Sequence, residues 1–200
     1  MSLRAVSFIT TSGSNTYTVS RPAGAAAGDV LLAGLSFNAS GSVVAPTGWT
    51  LVAHTRSASV VDLWTYYHVI GASEPASYSW NVASSATGVI GIADYTGVDP
   101  SAPIAGFSSA KNGSGSATVI LPQVATTGRS VAVLLLTTDG TAHTTPTFAS
   151  TFTRRWALVN YERGYEADNL TVVDGAQPSQ TIKLSAANVW SAQLIALRVR

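Results

Sequence analysis

An apolar run bounded by turn-forming residues occurs twice in this chain, about 100 residues apart. The first copy is Gly28–Asn38 (GDVLLAGLSFN), and the second is Gly128–Asp139 (GRSVAVLLLTTD). A run of about eight apolar residues is compatible with a buried strand or a buried helix segment, and its length and flanks favour the strand. Prolines and Thr-Val pairs upstream match at the same offset. The repeat predicts two related halves, approximately residues 1–100 and 101–200.

Strand-like segments rich in Val, Thr and aromatic residues alternate with Gly, Pro, Asn and Ser clusters along the whole chain. Their spacing of roughly 8–12 residues is typical of a β-sandwich, and no long segment carries a helical stripe. The predicted strands are 5–10, 16–20, 29–37, 50–55, 60–70, 77–82 and 89–95 in the first half, and 117–121, 130–138, 152–160, 165–173, 181–184 and 191–199 in the second.

These strands predict an all-β fold, an antiparallel double-sheet jelly-roll sandwich in which residues 1–200 form a single domain. Two tandem sandwiches are the alternative. A duplicated half-sandwich would leave open edges and apolar faces, which favours one sandwich made from both halves. The proline-containing and glycine-containing segment Asp99–Gly115 is predicted to join the halves, as a hinge or as a long crossover.

Charge and cysteine content exclude several kinds of function. Charged residues make up 10% of the chain and the net charge is +1, so there is no basic patch to neutralise phosphates and we expect no nucleic-acid partner. Cysteine is absent, which removes disulfides, thiol catalysis and thiolate metal sites. The surface is therefore expected to consist largely of Ser, Thr, Ala, Asn and Gly.

The N-terminal residues lack the long apolar stretch of a signal peptide, and no apolar run approaches the roughly 20 residues of a membrane span. We therefore expect no membrane association. The expected site of synthesis is the cytoplasm.

The most distinctive predicted strand is the aromatic segment Asp62–Val69 (DLWTYYHV). Alternation places Asp62, Trp64, Tyr66 and His68 on one face. Aromatic rings beside an acid and an imidazole suit a sugar-binding platform. Tyr78 and Trp80 share one face of the next strand and extend that surface, or hold a neighbouring subunit.

Packing in the core or at an interface is the alternative explanation for these rings. The corresponding positions of the second half, Ala167, Asn169 and Thr171, keep none of the aromatic residues, which favours packing.

Catalytic and metal-binding patterns are missing from the sequence. His54, His68 and His143 show no metal-ligand spacing, so no metal and no cofactor are expected. There is no Gly-x-Ser-x-Gly motif, and no spacing argues for a glycosidase pair such as Glu162 with Asp62. We therefore expect that the protein is not an enzyme.

Four stretches together resemble a β-sandwich module of bacteriophage virion proteins and bacterial surface proteins. They are Pro22 with Gly28–Ala33 (GDVLLA), Pro46–Leu51 (PTGWTL), Glu74–Tyr78 (EPASY) and Gly91–Asp99 (GIADYTGVD). The resemblance covers most of the chain and its motifs mark strands and turns. It implies exposure on a particle or cell surface and brings no catalytic residues with it.

The expected function is that of a structural virion protein made in the host cytoplasm, either a head decoration (cement) protein or a tail component. It would act through contacts with other virion proteins and as a homo-oligomer. The alternative is a carbohydrate-binding or host-attachment module that binds a glycan through the aromatic face.

Overall fold

The computed structural model describes residues 1–38, 41–58, 61–140, 144–159 and 162–200. Regular structure in these ranges is β-strand, and they contain no helix. The strands are β1 (Ser2–Ser20), β2 (Val30–Phe37), β3 (Val43–Val44), β4 (Thr50–Ser57), β5 (Val61–Val69), β6 (Ser77–Thr96), β7 (Ile104–Leu121), β8 (Arg129–Asp139), β9 (Pro146–Thr147), β10 (Thr153–Val159), β11 (Glu162–Asp174) and β12 (Gln180–Arg198).

Each half of the chain forms its own six-stranded antiparallel sheet. The first sheet has the order β1-β6-β2-β5-β4, with β3 added to β6. The second has the order β7-β12-β8-β11-β10, with β9 added to β12. The two orders become identical when six is added to each strand number of the first. The prediction of an all-β double-sheet sandwich built from two related halves is therefore confirmed.

Buried apolar side chains form three clusters, one inside each half and one between the halves. In the first-half cluster, Tyr17 and Trp80 from the ends of long strands pack over Leu31 and Leu35 of β2. The second-half cluster has the same construction around β8 and β12. The central cluster draws residues from both sheets. Because burying each large apolar side chain contributes about 1.5–3 kcal/mol, the central cluster holds the two sheets face to face.

Several predicted short strands are continuous in the structure. The segments 5–10 and 16–20 both belong to β1, as 77–82 and 89–95 belong to β6 and 181–184 and 191–199 to β12. Shifts of register bend these strands while their pairing continues on either side. The polar residues at each bend resemble a turn in sequence, which is why the two parts were predicted separately.

The repeat has a different register in the strands from the one that the sequence indicates. Gly28 and Gly128 both adopt positive φ angles, 86° and 83°, so the turn residues do correspond at an offset of 100. Within the strands, however, the pair Gly34–Thr65 is matched by Leu135–Glu166. The offset there is 101. Because alternate residues of a strand face opposite sides, this shift of one residue places the matched residues on the same face of their sheets.

The connection between the halves is shorter than predicted. Residues from Ile104 onward belong to β7, so the connection between β6 and β7 spans 97–103. The Asp99 amide donates to the Arg198 carbonyl at 2.9 Å, and the Arg198 amide donates to the Pro103 carbonyl at 2.8 Å. These bonds tie the connection to the last strand. A bilayer-spanning helix, which would need both length and apolar character, does not occur among the described residues.

Candidate functional site

The predicted aromatic site lies inside the first-half cluster. Trp64, Tyr66, Tyr78 and Trp80 are at most 9% exposed, and Asp62 is 2% exposed. His68 is half-buried. The start of β6 covers this face of β5, so the rings are not available in this structure to stack on a sugar or to anchor a neighbouring subunit. Their burial agrees with the packing alternative, while a binding role for them stays a prediction.

Trp49 is at the centre of the aromatic packing. Its ring stacks on His68 with centroids 5.4 Å apart and meets Tyr78 and Trp80 edge-on at 5.1 and 4.9 Å. Edge-on pairs at these separations stabilise by about 0.5–1.5 kcal/mol beyond the area that they bury. The turn before β4 is thereby fixed against β5 and β6.

A polar network closes the same end of the first half. His68 Nδ1 lies 2.9 Å from the Gly48 carbonyl oxygen, and its Nε2 lies 2.9 Å from Glu74 Oε1. Glu74 also accepts from the Gly71 amide at 2.8 Å and from the Tyr78 hydroxyl at 3.1 Å. Burial raises the pKa of Glu74, but these bonds and the adjacent imidazole outweigh it and lower the pKa overall.

A second histidine, His54 on β4, meets Asp62 at the other end of β5. Its Nε2 is hydrogen-bonded to Asp62 Oδ1, and its ring stacks on Trp64 with centroids 3.5 Å apart. Asp62 and Trp64 line a pocket of about 210 Å³, a volume that includes space open to solvent. Small-molecule sites usually enclose about 300–1,000 Å³, so this pocket is smaller than a typical small-molecule site.

The acid pair Glu162 and Asp62, for which the sequence gives no supporting spacing, is enclosed in the structure. Glu162 and Asp62 are almost fully buried, at 1% and 2% exposure, so neither faces solvent. Burial, together with Asp139 and Asp62, raises the pKa of Glu162 to about 9. No group of three or more His, Asp or Glu side chains among the described residues is placed to hold a metal ion. His143 lies outside the described residues, and the absence of a metal site stays a prediction.

The contact between the halves combines a row of small residues with a row of large ones. Across the first sheet, Ala53, Thr65, Gly34 and Gly91 occupy neighbouring positions on adjacent strands. The equivalent row of the second sheet is Trp156, Glu166, Leu135 and Gln193. The two sheets are therefore complementary rather than identical where they meet.

Trp156 fits against the glycines of the first sheet. A Cβ atom on Gly91 would lie 2.3 Å from Trp156 Cε2, and one on Gly34 would lie 3.1 Å from Trp156 Cζ2 and 2.3 Å from Leu135 Cδ2. Only glycine leaves room for these close approaches. Glycine inside an apolar strand is the sequence signal for such a contact.

Buried hydrogen bonds cross the same contact. Gln193 Nε2 donates to Thr55 Oγ1 at 3.0 Å and to the Leu63 carbonyl at 3.2 Å, and Gln193 Oε1 accepts from Thr65 at 2.5 Å. The hydroxyls of Ser36 and Thr137 are also hydrogen-bonded to each other. These bonds fix the register of one sheet on the other, since unpaired buried polar groups are costly.

A network of charged and hydroxyl groups also connects the two sheets. The Tyr95 hydroxyl oxygen lies 3.0 Å from both Glu166 Oε1 and Asp168 Oδ2. Trp156 Nε1 donates to Glu166 Oε2 at 2.9 Å, and Arg155 Nε donates to Asp168 Oδ1 at 2.7 Å. Burial, with Asp168 nearby, raises the pKa of Glu166 to about 8, although its hydrogen-bonded contacts with Tyr95 and Trp156 act in the opposite direction.

Each sheet has two edge strands, which are β4 and β1 in the first sheet and β10 and β7 in the second. Of these, the outer strands β1 and β7 each pair with a neighbour on one side only among the described residues. They run past β10 and β4 of the opposite sheet, but no ladder joins them there among the described residues. Each carries one charged residue, Arg4 in β1 and Lys111 in β7. Each also carries an exposed phenylalanine: Phe8 is 57% exposed and Phe107 is 49% exposed.

Searches against family models, curated proteins and solved structures find no match. The resemblance to virion and surface modules therefore stays a prediction.

Proposed function

We propose that this chain is a structural subunit of a bacteriophage particle, as a head decoration protein or a tail component, and that it acts through contacts with other virion proteins and with copies of itself. The observation that carries the proposal is the pair of outer strands, β1 and β7. Natural sheets usually protect an edge with charged residues or proline, because an unpaired edge invites another chain. These two strands have one charged residue each.

Phe8 and Phe107 are the anchors that we assign to these contacts. Each lies on an outer strand, opposite Gly91 and Ile195 respectively. Aromatic residues are enriched among the side chains that dominate protein interfaces. They are added to the buried rings of β5 and β6 as candidate anchors, and unlike those rings they are accessible before the partner binds.

The rest of the molecule suits a passive structural role. The two sheets are joined by a close-packed contact that contains both apolar and polar side chains. This contact makes the protein a rigid structural unit. Its low charge gives little electrostatic steering, so association would depend on apolar and backbone contacts.

Composition of purified particles tests the proposal directly. If the chain is a virion component, mass spectrometry should find it in stoichiometric amounts with the other particle proteins. Trace amounts, or its recovery only from the host lysate, would contradict the proposal.

The role of the anchors is tested by light scattering and particle-binding assays. Phe8→Ser and Phe107→Ser should weaken self-association or binding to particles by about tenfold or more each, since interface anchors contribute about 2 kcal/mol or more. Val172→Ser on β11, where the side chain is 37% exposed, is the matched control and should leave association unchanged. Equal effects of all three substitutions would exclude a specific role for the outer strands.

The glycan-binding alternative is tested separately on a glycan array. Binding that is lost in Trp64→Ala and Tyr66→Ala variants that remain folded would support it. Binding to no glycan would count against this class of function.

A further inference from the structure

The Tyr95 hydroxyl lies between two acidic side chains, and its contacts with them are fully satisfied only if one of these acids is protonated. A tyrosine hydroxyl carries one hydrogen, and carboxylate oxygens only accept. The Tyr95 oxygen nevertheless lies 3.0 Å from an oxygen of Glu166 and 3.0 Å from an oxygen of Asp168. If both acids were ionised, the single hydroxyl hydrogen would have to be shared between two acceptors in a weaker three-centre bond. If one acid is protonated and donates to Tyr95, each contact has a hydrogen of its own.

Charge decides which acid holds the hydrogen. Arg155 places Nε and Nη2 each 2.7 Å from Asp168 Oδ1, so Asp168 is the ionised partner. Within the described ranges, the hydrogen-bond partners of Glu166 are the uncharged groups of Tyr95 and Trp156, and Glu166 is fully buried. A protonated Glu166 donates to Tyr95, Tyr95 donates to Asp168, and Trp156 donates to the second oxygen of Glu166. Each side-chain oxygen and nitrogen of Tyr95, Trp156, Glu166 and Asp168 then has a hydrogen-bond partner, with one donor and one acceptor in every contact.

The titratable groups that face Glu166 come from three strands. They are Tyr95 on β6, Asp168 on its own strand β11, and Arg155 on β10. Burial, the largest cause, and Asp168 raise its pKa, while Tyr95, Trp156 and Arg155 lower it. Glu162 on the same strand is a second buried acid with a raised pKa, so it must be separated experimentally from Glu166.

We propose that a proton held by Glu166 links the two halves of the molecule at neutral pH, so that the contact between them weakens as pH rises and receives no further stabilisation from this group once the proton is released in alkaline solution. The link is built from Tyr95 of the first half with Glu166 and Trp156 of the second. On deprotonation, Glu166 loses its hydrogen bond to Tyr95 or competes with Asp168 for the Tyr95 hydrogen. A second negative charge is then buried at the contact.

The sign of the stability effect follows from the raised pKa. Between the pKa of an ordinary glutamate and about 8, the folded protein holds a proton that the unfolded chain has released. Stability therefore falls as pH rises through this window, with the unfolding equilibrium constant increasing about tenfold per pH unit for this one group. Above the folded pKa the group contributes no further pH dependence.

The indole N–H signal of Trp156 reports on Glu166 directly in the folded protein. In ¹⁵N NMR spectra of the full chain, assigned with a Trp156→Phe variant, we expect this signal to titrate with a midpoint near 8. Glu166→Gln, which keeps the shape and can still accept from Trp156 and donate to Tyr95, should abolish the titration. Glu162→Gln is the matched control and should retain it.

Thermal unfolding at several pH values gives the second readout. Glu166→Gln should reduce the fall in Tm between about pH 5 and pH 8 relative to the wild type. A wild-type Trp156 midpoint below pH 7, no titration up to pH 10, or equal titration in Glu166→Gln would each overturn the proposal. The wild-type titration decides the question even if Glu166→Gln does not fold.

Discussion

At the scale of single residues, the absence of a side chain at Gly91 matters as much as the presence of the Trp156 ring. An added methyl group would lie 2.3 Å from Cε2 of the indole, well inside the contact distance of two carbon atoms. Gly91→Ala should therefore destabilise the protein by about 1–3 kcal/mol or more, as overpacking of a close-packed core does. The free energy of unfolding from urea denaturation measures this effect.

Gly113→Ala is the control for this prediction, because a Cβ atom at Gly113 would meet nothing closer than 3.6 Å. Trp156→Ala alone should cost about 3–5 kcal/mol. In the double variant Gly91→Ala/Trp156→Ala, the alanine at position 91 should be tolerated, so the two effects should not add. Additive effects would show that the ring and the glycine do not depend on each other.

Glu74 makes the second prediction at this scale. Its lowered pKa means that its stabilising contribution is present above the ordinary glutamate pKa and is lost as pH falls through the lower, folded value. Glu74→Gln should cost about 2 kcal/mol at neutral pH, because hydrogen bonds to a charged group are lost. Chemical denaturation at pH 7 and pH 3 should show a smaller loss on acidification for the variant. An unchanged acid dependence would contradict this assignment.

At the scale of strands, the sequence predicts the apolar strands well and their continuity poorly. The segments β2, β5 and β8 were placed within a residue or two, because apolar runs between turn residues are local signals. The bends in β1, β6 and β12 depend on neighbouring strands that keep pairing on both sides of a polar segment. No local pattern distinguishes such a bend from a turn.

The site predictions show a related limit. Alternation correctly placed Trp64 and Tyr66 on one face, but it did not reveal that the start of β6 covers that face. The contact between the sheets was missed because its residues, such as Gly34 and Gln193, are unremarkable one at a time. Their significance depends on which sheet they face.

Gln193 gives the prediction at the strand scale, since it connects β12 to β4 and β5 of the other half. Gln193→Leu would leave the Thr55 and Thr65 hydroxyls and the Leu63 carbonyl without this partner. We expect a loss of about 2–4 kcal/mol in the free energy of unfolding, because each buried group left unpaired costs about 1–3 kcal/mol. Gln180→Leu, at the start of the same strand, should change it by less than about 0.5 kcal/mol. Similar effects of the two changes would exclude a bridging role.

At the scale of the whole molecule, the two halves form sheets of the same topology with unlike contact surfaces. If two copies of the first sheet packed together, cavities would remain at Gly34 and Gly91. If two copies of the second sheet packed together, the large side chains of Trp156 and Leu135 would face large side chains and clash. Gly34 and Leu135 occupy matching positions at an offset of 101, Gly91 and Gln193 at an offset of 102, and Ala53 and Trp156 at an offset of 103. The halves are thus specific for each other.

The last prediction concerns the halves as separate chains, 1–100 and 101–200. When co-expressed, they should form a one-to-one complex, since the central cluster supplies apolar surface from both. Each half alone exposes that surface and should be aggregated or unfolded. Size-exclusion chromatography with light scattering distinguishes these states, and Trp156→Ala in the second half should weaken the complex. A first half that is a stable monomer with its own cooperative unfolding would show that the chain contains two domains rather than one.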